Sequence, residues 1–266
     1  MIRFTLRTVL LAVAFLVVGA IVAPLLPAAA LAAVSRVQPS LPRLVFANLL
    51  TAAVLLFLLA RTPGGFVPRA RLAGLLLAGL QLNNLLELLI FDVGIPRAQL
   101  PWFFVHGAVS GALCGLIAAA VSGAGEAGAA ARGAWTTPWR FAAIVASYVV
   151  VYFTAGLAIF PFIVDFYEPW RLPSHFTMLP MSILRGSVFA ALAFLIVRSL
   201  RASRWAAALG VALALAIIGG VAPLIPENPY LPGFVRYAHM VEVGVSNVLF
   251  GAFAGWLLWR DETMPA

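Results

Sequence analysis

The feature that most limits what this chain can become is a succession of apolar runs, each about 20 residues long, divided by short polar or proline-rich stretches. Hydrocarbon offers no water to satisfy peptide groups, so such runs settle as helices, whose hydrogen bonds close within the segment. Of the 266 residues 64% are hydrophobic, with a mean hydropathy of +1.05, and soluble domains do not carry that composition. The fold class is therefore all-α: a polytopic integral membrane protein.

The pattern predicts eight spans, at 8–33, 44–60, 72–94, 102–122, 139–163, 178–197, 205–225 and 238–259. Proline and glycine clusters mark the breaks at 62–68, 93–101 and 226–233. The first run starts like a secretory signal, with arginines, an apolar core and then small residues. It is longer than a signal core, which favours an uncleaved first helix.

All 17 basic residues are arginine, which removes lysine chemistry such as Schiff-base formation. The net charge of +8 reads as membrane topology rather than nucleic-acid binding. With the N-terminus on side one, that side carries Arg3, Arg7, Arg61, Arg69, Arg71, Arg132, Arg140, Arg198, Arg201, Arg204 and Arg260. Side two carries Arg36, Arg43, Arg97, Arg171 and Arg236, and the acids Asp92, Asp165, Glu168 and Glu227. The imbalance predicts both termini in the cytoplasm, in a bacterial plasma (inner) membrane. The single cysteine, Cys114, can form no intrachain disulfide and reads as packing.

The chain also resembles itself. LPRLVFANLLTAAVLLFLLAR at 41–61 matches LPMSILRGSVFAALAFLIVRSL at 179–200, and VSGALCG at 109–115 matches VSNVLFG at 245–251. Four spans per copy keep the orientation, so the reading is two parallel four-helix repeats, 1–122 and 138–266, joined by a small-residue cytoplasmic linker at 123–137.

Ionisable groups in hydrocarbon are costly and face a partner or water. Five of them, Glu87, His106, Arg185, His239 and Glu242, fall at one level in the outer third of their spans. They are expected to line one polar cluster, ligand-binding or proton-linked and reachable from outside. Asn48, Asn83, Asn84, Ser110 and Ser246 are expected to support it. A buried arginine calls for a carboxylate, so Arg185 is expected to pair with Glu87 or Glu242, with anion binding as the alternative. His239 and Glu242 form H-x-x-E, which with His106 and Glu87 makes a weak metal-ligand pattern or, through the two histidines, a weak haem pattern. No metal or cofactor is expected. Arg236 is expected to mark the headgroup boundary, and His175 with Asp165, beside Tyr167 and Trp170, to form part of an outer lid.

Gly107, Gly111 and Gly115, and likewise Asn247, Gly251 and Gly255, form small-residue ridges suited to close helix contact, within the chain or with a second copy or membrane partner. No phosphate-cradling loop, nucleotide fingerprint or serine-nucleophile elbow occurs. The leading function is binding or movement of a small solute or lipid-like molecule. A structural or assembly subunit and an intramembrane metal-dependent or lipid-modifying enzyme are the other classes.

Overall fold

The computed structural model describes residues 2–35, 37–91, 95–123, 137–167, 173–228 and 231–259. Most of the linker, 124–136, lies outside them, as do Arg36, Asp92, Arg132, Glu168, Trp170, Arg171 and Arg260.

The described residues are helical, without strands. The helices are α1 (Ile2–Val22), α2 (Ala28–Val34), α3 (Leu41–Leu59), α4 (Phe66–Leu85), α5 (Leu100–Ser122), α6 (Pro138–Tyr167), α7 (His175–Ser199), α8 (Arg204–Leu224) and α9 (Gly233–Leu258). All except α2 are long and apolar enough to cross a membrane, giving eight such helices among the described residues.

The first span differs from its expected bounds. It starts at Ile2 and ends with a 3₁₀ turn at Ala23–Leu25, and α2 follows separately after Pro27. Composition runs apolar through this point, but proline removes an N–H and disfavours helix in the residue before it. Arg3 and Arg7 therefore lie within α1 rather than ahead of it. Asp165, placed in a loop from sequence, lies in the last turns of α6 and is exposed.

Contacts at the ends fix the topology. At the end where α1 begins, Arg7 donates to the Ser122 carbonyl at 2.9 Å, and Arg140 donates to that of Leu257 at 3.0 Å. The Arg201 N–H donates to the Arg61 carbonyl at 2.8 Å, and Trp259 Nε1 donates to that of Ala202 at 3.2 Å. At the opposite end Arg43 pairs with Glu227. Eight long helices alternating in direction account for both sets.

α1 packs on α3 and α5, α4 on α5, α6 on α7 and α9, and α8 on α9. Between these groups, α4 packs on α7 and α3 on α8. α8 is the most enclosed helix and α6 the least. The buried core is leucine-rich, including Leu55, Leu58, Leu72, Leu76, Leu80 and Leu215.

The glycine ridges are filled within the chain. A Cβ at Gly111 or Gly115 of α5 would strike the α4 backbone at Ala78 or Gly74. Gly251 and Gly255 of α9 meet Ala212 and Ala208 of α8 in the same way. Small residues let these backbones approach closely enough for dispersion contacts to hold the pair.

α8 carries a π-helical stretch, Ala214–Val221. The wider turn breaks the usual i to i−4 ladder, leaving carbonyls available to side chains. Asn84 of α4 donates to the Gly219 carbonyl at 2.8 Å, and Asn247 of α9 to that of Leu215 at 3.2 Å. Two neighbouring helices are thus clasped to the irregular segment.

Candidate functional site

Glu87 lies in the 3₁₀ turn Leu86–Leu89 that closes α4, with its side chain 37% exposed. Arg185 is buried in α7 and its Nη1 donates to the Glu87 carboxylate. Its Cζ stands 5.7 Å from the Tyr152 ring of α6. On α9, His239 Nδ1 lies 2.7 Å from Glu242 Oε2, one helical turn apart. The two pairs share a neighbour in α6, where Tyr152 stands by Arg185 and Gly156 by Glu242.

α6 completes the wall. Tyr148, Tyr152 and Gly156 recur every four residues and so share a face. Glu242 Oε1 lies 4.0 Å from where a Gly156 Cβ would stand, and Tyr148 packs flat over Gly186 of α7. Arg185 and Glu242 are each roughly 14 Å along their helices from the end opposite the α1 start.

Below the charged groups the bundle is closed by aromatic rings. Tyr148 stands 5.2 Å from Phe189 and 5.2 Å from Phe250, both edge-on, and the two phenylalanines are 6.0 Å apart. All three are buried. The result is two ion pairs in one half of the bundle, above a buried aromatic layer formed by α6, α7 and α9.

Of the five expected residues, Glu87 pairs with Arg185 and His239 with Glu242. His106 has no hydrogen bond or ion pair among the described residues. It sits on α5, which packs on the far side of α4, where Gln81 and Leu85 meet Gly107. Glu87, two positions beyond Leu85, points to α7 instead. Depth along the helices was legible, but the azimuth between neighbouring helices was not.

The supporting residues also divide. Asn84 serves the π-segment of α8. Asn48 bonds only to the Leu44 carbonyl of its own helix, at 2.9 Å. The half-buried Ser246 makes no side-chain hydrogen bond among the described residues. Ser110 Oγ is buried without a hydrogen-bond partner, and so are both polar atoms of the fully buried Asn83, one turn below Glu87. Arg236, in the first turn of α9, is buried, with 2% exposure. It lies near Glu227, which also accepts the Ser40 N–H at 3.0 Å and pairs with Arg43. His175 and Asp165 are exposed and share no hydrogen bond or ion pair among the described residues, and Trp170 lies outside them.

Sequence reasoning missed Tyr148, Tyr152 and Gly156, whose four-residue spacing is hard to single out in a helix that also carries Phe141, Phe153, Phe160, Phe162 and Phe166. Asn247 was read as part of a packing ridge, and its amide also serves α8. Among the described residues no group of three or more His, Cys, Asp or Glu is placed to hold a metal.

No protein-family model, curated protein or solved structure matches this chain. Its class rests on its own features: eight apolar helices consistent with a multi-pass membrane protein.

Proposed function

We propose that this is a bacterial plasma-membrane protein, with both termini cytoplasmic, that binds a small polar or lipid-like solute and moves it. The solute enters the chamber lined by Glu87, Arg185, His239 and Glu242 from the outer side. The observation that carries this reading is geometric: two charge pairs from α4, α7 and α9 border one face of α6, with Tyr152 beside Arg185 and Gly156 beside Glu242, above the ring layer of Tyr148, Phe189 and Phe250. Buried charges that only stabilise a bundle have no need to cluster, and hydrophobic replacements often do as well. An arginine fork, an imidazole and a partly exposed carboxylate can bind a polar solute and exchange a proton with it. The closed floor fits a binding state sealed from the other side.

Two parallel repeats, 1–122 and 138–266, organise this site. The packing of α1, α3, α4 and α5 is matched, partner by partner, by that of α6, α7, α8 and α9. Gly115 against Gly74 has its counterpart in Gly251 against Ala212. The cross-contacts of α4 with α7 and of α3 with α8 fit a two-fold relation along the membrane normal.

A second reading, a structural subunit of a membrane complex, is favoured by the internal pairing of all four charged groups. A partner would use a face other than the glycine ridges, which are filled within the chain.

The test is movement of protons and small solutes into proteoliposomes carrying a trapped pH indicator. Wild-type vesicles should pass protons or solute down an imposed gradient, and Glu242→Gln should abolish this with its melting profile retained. Vesicles as tight as protein-free ones would overturn movement and leave the structural reading.

A further inference from the structure

A second site lies at the other end of the bundle, where α1 begins. A cavity of about 280 Å³ opens between α1, α3 and α5, lined by Arg3, Phe4, Arg7, Leu56, Ala60 and Ser122. Its polar side is cationic. Arg7 donates to the Ser122 carbonyl at 2.9 Å. Arg69, buried behind it, donates to the Thr62 carbonyl at 3.3 Å, to Ser122 Oγ at 3.3 Å and to the Gly123 carbonyl. Arg7 and Arg69 are close enough to repel each other. Gly123, at φ +82°, lets Arg7 lie against it, where a Cβ would collide with the guanidinium.

The carbonyls at the end of α5 satisfy part of this charge, as cations at a helix C-terminus commonly are. They leave a surplus. Among the described residues no acidic side chain bonds to Arg3, Arg7 or Arg69, and Arg3 has no side-chain hydrogen bond. Arginine forks match phosphate oxygens. The other wall is apolar, through Phe4, Leu56 and Ala60.

We propose that this cavity binds a phosphate-bearing anion, and that its occupant is the headgroup of an anionic phospholipid. Arg3 and Arg7 hold the phosphate, and the acyl chains run along α1. The apolar wall of Phe4, Leu56 and Ala60 facing the arginines favours a lipid over free phosphate, which would have no use for it. Basic pockets between spanning helices are suited to such headgroups. The site is independent of the chamber between α4, α7 and α9.

The test places purified protein in nanodiscs of phosphatidylcholine, alone or mixed with phosphatidylglycerol, and counts retained lipid by native mass spectrometry. Wild type should keep phosphatidylglycerol. Arg3→Gln with Arg7→Gln should keep about tenfold less, while Arg71→Gln, an exposed arginine at the same end, should keep as much as wild type. Arg7→Lys, which retains the charge, should recover part of the binding and guards against misfolding of the double variant. Equal retention by wild type and the double variant, or equal loss in Arg71→Gln, overturns the site. Displacement of the lipid by excess inorganic phosphate would assign the cavity to free phosphate and overturn the lipid as occupant. Retention against phosphate supports it.

Discussion

Arg185 and Glu87 are 98 positions apart in sequence, yet their ion pair ties α7 to α4 at the depth where His239 meets Glu242. The pair crosses from one proposed repeat to the other. It therefore ties α4 to α7 and, in the proposed function, shapes the binding site.

Arg185→Leu should lower stability by about 2 kcal/mol, because Glu87 loses its partner while its partial exposure softens the penalty. Arg185→Leu combined with Glu87→Leu should recover most of that loss. Thermal unfolding of the four proteins in a double-mutant cycle measures it. Additive losses would count against the pairing.

Gly115→Ala and Gly156→Ala separate packing from chamber space. At Gly115 the new methyl meets the Gly74 backbone, which cannot rotate away, and about 1–3 kcal/mol should be lost. At Gly156 the nearest atom, Glu242 Oε1, is 4.0 Å away, and the melting profile should stay close to wild type.

Asn84→Ala or Asn247→Ala should each cost about 1 kcal/mol by leaving a carbonyl of the π-segment without its donor. Amide hydrogen exchange should rise in Ala214–Val221. Unchanged exchange there would separate the asparagines from the stability of α8.

Glu227 gives a pH prediction. The Ser40 N–H, Glu227's own N–H, and the nearby Arg43 and Arg236 hold its carboxyl below the usual carboxylate range. A depressed folded-state pKa contributes stability above the unfolded value and loses it as pH falls through the folded value. The wild-type melting temperature should therefore fall on acidification more steeply than that of Glu227→Gln. Parallel acid profiles would contradict this.

The spans were legible because apolar length is a local property. The exception, at Pro24 and Pro27, shows local backbone chemistry overriding hydropathy. The shared depth of Glu87, Arg185, His239 and Glu242 was also legible, since helix rise converts position into height. Which of them meet was not. His106 was grouped with them by depth, yet its helix, α5, packs on α4 rather than on α7. The four-residue spacing of Tyr148, Tyr152 and Gly156 was visible, but only contact with Arg185 and Glu242 gives it meaning. Asn83 and Asn84 looked equivalent as neighbours, and one amide found α8 while the other found no partner.

The central claim is that the four charged residues line a chamber open to one side and closed by Tyr148, Phe189 and Phe250 below. The single cysteine makes a direct test possible. In a Cys114→Ser background, Gly156→Cys places a thiol facing Glu242, and Ala190→Cys places one in the closed core of α7. Each is exposed, in vesicles of known orientation, to a membrane-impermeant maleimide. Gly156→Cys should be labelled only from the side opposite the start of α1, with Ala190→Cys inert. A Gly156→Cys protein inert from both sides, or labelled equally from both, would contradict the account.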